Sequence, residues 1–230
     1  MGNVIGNTFN ACNKHVSIKK EDFIHKNSCK LTTDKISYIG KSVILASQSP
    51  RRKQLLEWAE VPFEIIIKPT DELYPAGISV EEVAMYIARN KAVAVKEFVQ
   101  NTTAATNKII VAADTIVVID NEIIGKPVDR QHAIEILNKL SGKTHTVITG
   151  VVLMDNDKEI IFSDTTEVTF YLLTADAIAF YVDKYAPYDK AGAYAIQEWI
   201  GVVGIQSVKG DFYNVMGLPV SKVIQAIAAW

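Results

Sequence analysis

The sequence predicts an α/β fold, because short apolar runs alternate along the chain with stretches whose apolar residues recur at helical spacing. The run 43–46 is too short for anything but a buried strand, whereas Leu55, Leu56 and Ala59 recur at helical spacing soon after it. The apolar run 109–119 is continuous, which is typical of a strand that is buried on both faces of its sheet.

Caps, turns and periodicity define the other elements. Most of the predicted helices begin at a capping residue or a proline. The side chain of a capping residue accepts a hydrogen bond from a free N–H group of the first helical turn, and proline has no N–H group that would need a partner there. The expected strands are 63–67, 146–154, 159–173 and 200–208, and the expected helices are 50–60, 80–100, 130–140, 175–185 and 219 to the C-terminus. Asp120 and Asn121 predict a tight hairpin turn, and Gly142 predicts a helix C-cap.

The composition is that of a soluble globular protein. Hydrophobic residues make up 49% of the 230 residues, and the net charge of −2 gives no general attraction to nucleic acid or to an anionic membrane. No apolar run approaches the length that spans a bilayer, and the first residues lack the compact apolar core of a signal peptide. Two cysteines cannot form a disulfide framework, so we expect a cytoplasmic protein in a reducing environment.

Residues 1–41 are predicted to be a flexible extension that precedes one large domain, residues 42–230. The extension is polar, rich in Asn and Lys and poor in periodicity. Two cysteines and two histidines stand at spacings that a zinc site could use: Cys12, His15, His25 and Cys29. The loop between the pairs is short and has no apolar surroundings, so we interpret the spacing as coincidence in a tail.

The segment 47–52 lies at a predicted strand-to-helix corner. Ser49 is a natural N-cap and Pro50 a natural first helical residue. The corner offers hydroxyls, free backbone N–H groups and the positive end of a helix dipole beside the guanidinium groups of Arg51 and Arg52. These groups predict an anion site with phosphate as the expected anion, and the simpler alternative is a helix start with solvated arginines.

Two charged residues interrupt apolar patterns and are candidates for a functional site. Lys91 falls on the apolar stripe of helix 80–100, so its ammonium must either reach an anion or extend along the helix to solvent. Asp114 stands in the middle of the run 109–119, where a buried carboxylate is costly unless a cation or metal compensates it. The alternative is two short strands that break at Asp114, which would place the carboxylate at an exposed strand end.

Six motifs stand in order along the chain: Ser47-x-Ser-Pro-Arg-Arg52, Ala113-Asp-Thr115, Gly125-Lys-Pro127, Ser141-Gly-x-Thr-His145, Asp189-Lys-Ala-Gly-Ala-Tyr194 with Gln197, and Asn214-Val-Met-Gly-Leu-Pro219. Together they resemble the motifs of the Maf family of nucleoside triphosphate pyrophosphatases. The resemblance extends from residue 43 to the C-terminus. Six ordered motifs are a specific match, whereas any one of them alone is weak.

The resemblance implies an elongated mixed sheet with helices that form two lobes around a central cleft. It also implies hydrolysis of a nucleoside triphosphate between the α and β phosphates, with a divalent metal, Mg²⁺ or alternatively Mn²⁺. The motifs resemble the branch that acts on dTTP and UTP, with modified pyrimidine nucleotides as further candidates. In that branch Asp114 would be the catalytic carboxylate. Three positions would select the base: Arg51, Thr115 and Gln197. A homodimer is expected from the resemblance alone.

The residue chemistry is consistent with this activity, because a triphosphate needs clustered cations and an activated water. Four cations could form the cluster: Arg51, Arg52, Lys91 and Lys126. Asp114 would accept the proton of the water or hold the metal, Glu72 would be a second metal ligand, and Ser47 would bind a phosphate oxygen. The alternative from another class is a non-catalytic nucleotide-sensing regulator of cell division, which would need the phosphate site but not Asp114. A nucleic-acid binder is disfavoured by the negative net charge.

Overall fold

The computed structural model describes residues 40–102 and 108–230, which form a mixed α/β fold around a seven-stranded sheet. The strands are β1 (Val43–Leu45), β2 (Phe63–Ile65), β3 (Ile109–Ile119), β4 (Glu122–Ile124), β5 (Thr144–Met154), β6 (Glu159–Phe170) and β7 (Ile205–Lys209). The helices are α1 (Pro50–Trp58), α2 (Val80–Thr102), α3 (Arg130–Leu140), α4 (Ala175–Tyr185), α5 (Trp199–Gly204), α6 (Phe212–Val215) and α7 (Val220–Ala228). The cysteines and histidines with zinc-like spacing, and nearly all of the predicted extension, lie outside the described residues. Of the helices described, none is both long and apolar enough to cross a bilayer.

The sheet is mixed, as the resemblance implied. Its strand order is β2-β1-β3-β5-β6-β7, and β4 pairs with β3 outside this path. β1 runs parallel to β2 and to β3, whereas β3, β5, β6 and β7 are joined by antiparallel pairings. The parallel neighbours are connected through α1 and α2, since parallel strands require crossover connections. The predicted α/β class is therefore confirmed.

β3 is one continuous strand, so the alternative of two short strands is wrong. Its pairing with β5 is unbroken along nearly its whole length. Its apolar side chains of even number pack against α2, and those of odd number join the larger core cluster on the opposite face of the sheet. Asp114 therefore belongs to the face that α2 covers, and Thr115 belongs to the opposite face.

α2 packs closely against the sheet because β5 carries a glycine beneath it. A side-chain carbon added at Gly150 would lie 2.3 Å from the backbone of Ala84 and Met85 in α2. Glycine at a strand position often marks such a close backbone approach. Lys91 lies about two turns further along the same helix and so comes within reach of Asp114.

One edge of β3 has a gap in its strand pairing. Residues 109–111 pair with β1, and residues 117–119 pair with β4. β5 pairs along one edge of β3, so β1 and β4 must both pair along the opposite edge. On that opposite edge, residues 112–116 of β3 have no strand partner among the described residues. Asp114 and Thr115 stand at the centre of this gap, one on each face of the sheet.

The strand predicted over 200–208 is wrong in its first half. The chain forms the helix α5 as far as Gly204 and only then enters β7. Gly201 permits this tight path, because a side-chain carbon there would lie 1.7 Å from the carbonyl oxygen of Ile196. Val202 is 80% exposed, so its β-branched side chain does not belong to a buried strand. β2 and β6 also end earlier than predicted, each at its last paired residue.

Candidate active site

A cavity of about 900 Å³ lies beside the gap in the edge of β3. This volume is within the range that proteins use for small-molecule ligands. The cavity is lined by every residue that the sequence nominated: Ser47, Arg51, Arg52, Glu72, Lys91, Asp114, Thr115, Lys126 and Gln197. Six basic and three acidic side chains line it, a formal charge of +3 in a chain whose net charge is −2. The local excess of positive charge suits a polyanionic ligand.

The corner before α1 is arranged around the hydroxyl group of Ser47. Ser49 caps the helix by accepting the backbone N–H of Arg52 at 3.5 Å, and Pro50 is the first helical residue, as predicted. The Ser47 hydroxyl oxygen accepts the backbone N–H of Ser49 at 3.2 Å and Nη1 of Arg52 at 3.2 Å. Because both bonds use its oxygen, the hydroxyl of Ser47 can still donate its proton to a ligand.

Arg52 is a buried cation that is held at three points. The residue is 9% exposed, and besides the bond to Ser47 its Nε donates to the carbonyl oxygen of Gly217 at 2.7 Å. Its Nη2 donates to the hydroxyl of Thr115 at 2.9 Å. All three acceptors are neutral, and within the described residues no carboxylate forms an ion pair with Arg52. Burial lowers the pKa of Arg52, and the negative charge of Asp114 opposes that shift.

Buried hydroxyl and amide groups fix the partners of Arg52. The Thr115 hydroxyl oxygen lies 2.9 Å from that of Thr149, which donates to the carbonyl oxygen of Asn214 at 3.1 Å. Asn214 is fully buried, and its side-chain amide donates to groups of the sheet. Because Asn214 and Gly217 belong to one turn, these bonds also hold the carbonyl group that anchors Arg52. The guanidinium uses three of its five N–H donors in this frame, which leaves two for a ligand.

Lys91 lies between two carboxylates. Its Nζ is 2.6 Å from Oδ1 of Asp114 and 3.1 Å from Oε1 of Glu72, so the alternative of a lysine that simply extends to solvent is wrong. Lys126 Nζ lies 3.6 Å from the other oxygen of Glu72. Burial alone would raise the pKa of Glu72, but Lys91 and Lys126 together outweigh it and lower the pKa. Glu72 is therefore ionised at neutral pH.

Arg51 and Gln197 line the cavity from two separate segments. Arg51 Nη1 donates to Oδ2 of Asp189 at 3.2 Å, and Lys190 Nζ donates to the other oxygen of the same carboxylate at 2.7 Å. Burial alone would raise the pKa of Asp189, but Lys190 and Arg51 lower it overall. Gln197 is exposed, and its carboxamide makes no hydrogen bond to the residues that the structure describes, so it is free to meet a ligand.

Comparison with known proteins relates this site to a family. The model of the Maf-like protein family matches residues 42–230. The chain belongs to the Maf-like family. A dTTP/UTP pyrophosphatase of Parabacteroides distasonis is 46% identical over 186 residues, which cover 80% of this chain and 94% of that protein. A dTTP/UTP pyrophosphatase of Cytophaga hutchinsonii is 48% identical over 185 residues, which cover 80% of this chain and 82% of that protein. The resemblance carried by the six motifs is confirmed.

One solved structure shows a weaker likeness to the Maf-like chain. The Staphylococcus aureus Ham1 protein matches 56% of this chain and 72% of its own chain, with 17% identity and a TM-score of 0.38.

The two carboxylates of the Maf-like site fit a hard divalent cation. Glu72 and Asp114 converge on one positive charge, the ammonium of Lys91, and Oδ2 of Asp114 has no hydrogen-bond partner among the described residues. In the described part of the chain, no group of three or more His, Cys, Asp or Glu could enclose an ion. Mg²⁺ commonly takes one or two carboxylates and completes its shell with water and substrate phosphates. The pair therefore fits Mg²⁺ better than a closed structural zinc site.

The sequence did not identify several residues that build the site. His145 Nε2 lies 2.7 Å from the hydroxyl of Tyr194, which lines the cavity. Burial lowers the pKa of His145 to about 4, so its ring is neutral at physiological pH. Asp189, Lys190 and Asn214 likewise stand in the six motifs without an assigned role. The sequence includes these positions, but only the structure shows which partner each side chain contacts.

Proposed function

We propose that this chain hydrolyses dTTP and UTP between the α and β phosphates and releases a nucleoside monophosphate and pyrophosphate. The names of its relatives support this substrate class. The single observation that carries the proposal is the buried guanidinium of Arg52, which faces the cavity and has no carboxylate partner in the described residues. A buried cation without a counter-charge is costly, and a bound phosphate would supply that charge.

The side chains have complementary roles in the proposed reaction. Water attacks the α phosphorus, the bond from that phosphorus to the bridging oxygen breaks, and pyrophosphate leaves. Asp114 acts on the water through the oxygen that does not contact Lys91, either as the acceptor of its proton or as a ligand of the metal that activates it. Lys91, Lys126 and Arg52 neutralise charge on the phosphate oxygens. Ser47 donates to a phosphate oxygen from the corner of α1.

Glu72 and Asp114 are the proposed ligands of a divalent cation, with Mg²⁺ favoured over Mn²⁺. Such an ion would neutralise phosphate charge and lower the pKa of a bound water. We expect that a chelator lowers pyrophosphate release to roughly a tenth or less, on the scale of lost Lewis-acid catalysis, and that added Mg²⁺ restores it. Steady-state rates in EDTA and after Mg²⁺ addition measure this effect. Full activity in the chelator would overturn the metal assignment.

The direct test of the function is a panel of nucleoside triphosphates, standard and modified, with the products identified by chromatography. The proposal expects monophosphate and pyrophosphate, with dTTP and UTP as the best substrates. Release of diphosphate and inorganic phosphate would overturn the proposed bond. Binding without turnover would favour a non-catalytic nucleotide sensor, which has no need of Asp114 in the cavity.

Gln197 is the proposed reader of the base. Uracil and thymine present a carbonyl acceptor beside an N–H donor, and a carboxamide can pair with both. We expect Gln197→Glu to weaken use of dTTP and UTP by about 1 to 3 kcal/mol, the cost of leaving a polar group unpaired. The ratio kcat/KM for each nucleotide measures this loss.

A suitable control is Gln225→Glu, which makes the same charge change on an exposed residue of α7 that does not line the cavity. This control should retain the wild-type preference. An unchanged preference in Gln197→Glu would remove Gln197 from base recognition.

Two further proposals concern the setting of the enzyme. We place it in the cytosol, where nucleoside triphosphates are abundant and cysteines remain reduced. We also propose a homodimer, which light scattering coupled to size-exclusion chromatography tests directly. A monomer at micromolar concentration would contradict the second proposal and leave the reaction unaffected.

A further inference from the structure

The segment that carries Gln197 is held by its neighbours. Ala195 donates its backbone N–H to the hydroxyl oxygen of Tyr181 at 3.2 Å. Glu198 donates its backbone N–H to the carbonyl oxygen of Ala195 at 3.1 Å, and its own carbonyl oxygen accepts the N–H of Gly201 at 2.9 Å at the start of α5. Gln197 therefore lies between two anchored residues, and its position depends on what anchors them.

Tyr181 connects both anchored residues through one hydroxyl group. The residue is 0% exposed, and its hydroxyl donates to the carboxylate of Glu198 while it accepts from Ala195. Burial first, and then the bond to Glu198, raises the pKa of Tyr181, so the phenol remains protonated and acts as a donor. The position of the Glu198 carboxylate therefore controls the short segment on which Gln197 lies.

Lys190 forms an ion pair with the carboxylate of Glu198. The side chain of Lys190 is 9% exposed, and its Nζ lies 3.6 Å from Oε1 of Glu198 and 2.7 Å from Oδ1 of Asp189. The other oxygen of Asp189 accepts from Arg51 at 3.2 Å. One buried ammonium thus connects a carboxylate bound to Arg51 with a carboxylate that anchors the segment of Gln197.

We propose that Lys190 is a positioning residue for base recognition, which holds Arg51 and Gln197 in a fixed relation through Asp189 and Glu198. This inference rests on the proposed function, because it assigns a task to the site that binds dTTP and UTP. Without the ammonium, Asp189 and Glu198 would be like charges with no cation between them, and both carboxylates would move toward solvent. Arg51 and Gln197 would then lose their common support.

The test is Lys190→Met, which keeps the length and apolar body of the side chain and removes the charge. We expect KM for UTP and dTTP to rise roughly 10-fold, the scale of coupling between residues in one network, while kcat stays near wild type. We expect Lys190→Arg to recover most of the loss, because it restores the cation. A rise in KM without a fall in kcat separates positioning from a general loss of folding.

A double-mutant cycle with Gln197→Ala decides whether Lys190 acts through Gln197. If it does, Lys190→Met should cause little further rise in KM when Gln197 is already alanine. Full additivity of the two changes would overturn the inference. An unchanged KM in Lys190→Met would also overturn the inference, provided that the wild-type enzyme releases pyrophosphate. An inactive wild-type enzyme would instead contradict the proposed function itself.

A second variant and a matched control complete the design. Glu198→Gln keeps an acceptor for Tyr181 but removes the charge that faces Lys190, so it should raise KM in the same direction even if Lys190→Met fails to fold. An unchanged KM in Glu198→Gln would also overturn the inference. The control is Lys222→Met, which removes a lysine that lies 2.8 Å from the partly buried Asp164 but does not line the cavity. Its KM should equal that of the wild type.

Discussion

Asp114→Asn is expected to slow pyrophosphate release from UTP by roughly 100-fold or more, the scale of losing a positioned general base. The amide cannot accept the proton of the attacking water, and it carries no negative charge to attract a divalent cation. It is close in shape to the carboxylate and can still accept from Lys91, so the fold should persist. Turnover at saturating UTP and Mg²⁺, with urea unfolding on the same samples, measures both effects.

The chain offers a close control for this substitution. Asp164 has an 11% exposed side chain and pairs with Lys222 at 2.8 Å, whereas Asp114 has a 13% exposed side chain and pairs with Lys91 at 2.6 Å. Asp164 does not line the cavity, so Asp164→Asn should leave turnover unchanged. Near wild-type turnover in Asp114→Asn would remove this carboxylate from catalysis. Equal losses in both variants would assign the effect to stability.

The local elements of the fold could be predicted because their signals are local. Ser49 with Pro50 begins α1, and the capping box of Ser79 with Glu82 precedes α2, with reciprocal bonds of 3.2 Å and 2.8 Å between side chain and backbone. The error at α5 also has a local cause. Valine and isoleucine favour strands, but Gly201 lies so close to the carbonyl oxygen of Ile196 that only glycine fits there, and on the resulting helical turn Val202 is 80% exposed.

The arrangement of the site could be predicted only in part, because it depends on which strands become neighbours. The sequence marked Lys91 and Asp114 as charges in apolar surroundings, and burial explains why they meet. It did not reveal that β1 and β4 share one edge of β3 and leave a gap at Asp114. The contact of Lys190 with Glu198 is likewise set by the path of the loop before α5, for which no periodic pattern exists.

The structure also refines how Thr115 could affect selectivity. Its hydroxyl is engaged by Arg52 and by Thr149 on the face of β3 opposite to α2. Besides its place in the lining of the cavity, Thr115 can therefore affect the choice of nucleotide through its bond to the guanidinium of Arg52, the proposed phosphate ligand. Because the guanidinium of Arg52 donates to three acceptors, its planar shape should matter for activity as well as its charge.

Arg52→Lys is expected to lower kcat/KM for UTP by roughly 100-fold, because an ammonium cannot reproduce a planar fork that binds several acceptors at once. The guanidinium donates to Ser47, Thr115 and Gly217 together, and lysine can reach at most part of that set. We also expect the free energy of unfolding to fall by about 2 to 4 kcal/mol, since buried acceptors lose their donors. Pyrophosphate release and urea unfolding measure the two losses separately.

Arg89→Lys is the matched control, because Arg89 also forms a charged pair, with Glu159 at 2.9 Å, but is exposed and does not line the cavity. An exposed pair contributes only about 0 to 1 kcal/mol, so this variant should be nearly as stable and as active as the wild type. If Arg52→Lys kept the wild-type kcat/KM, positive charge alone would suffice at this position. The buried guanidinium would then no longer be the reason to propose a triphosphate substrate. The positive charge of the cavity alone would account for the binding of an anion.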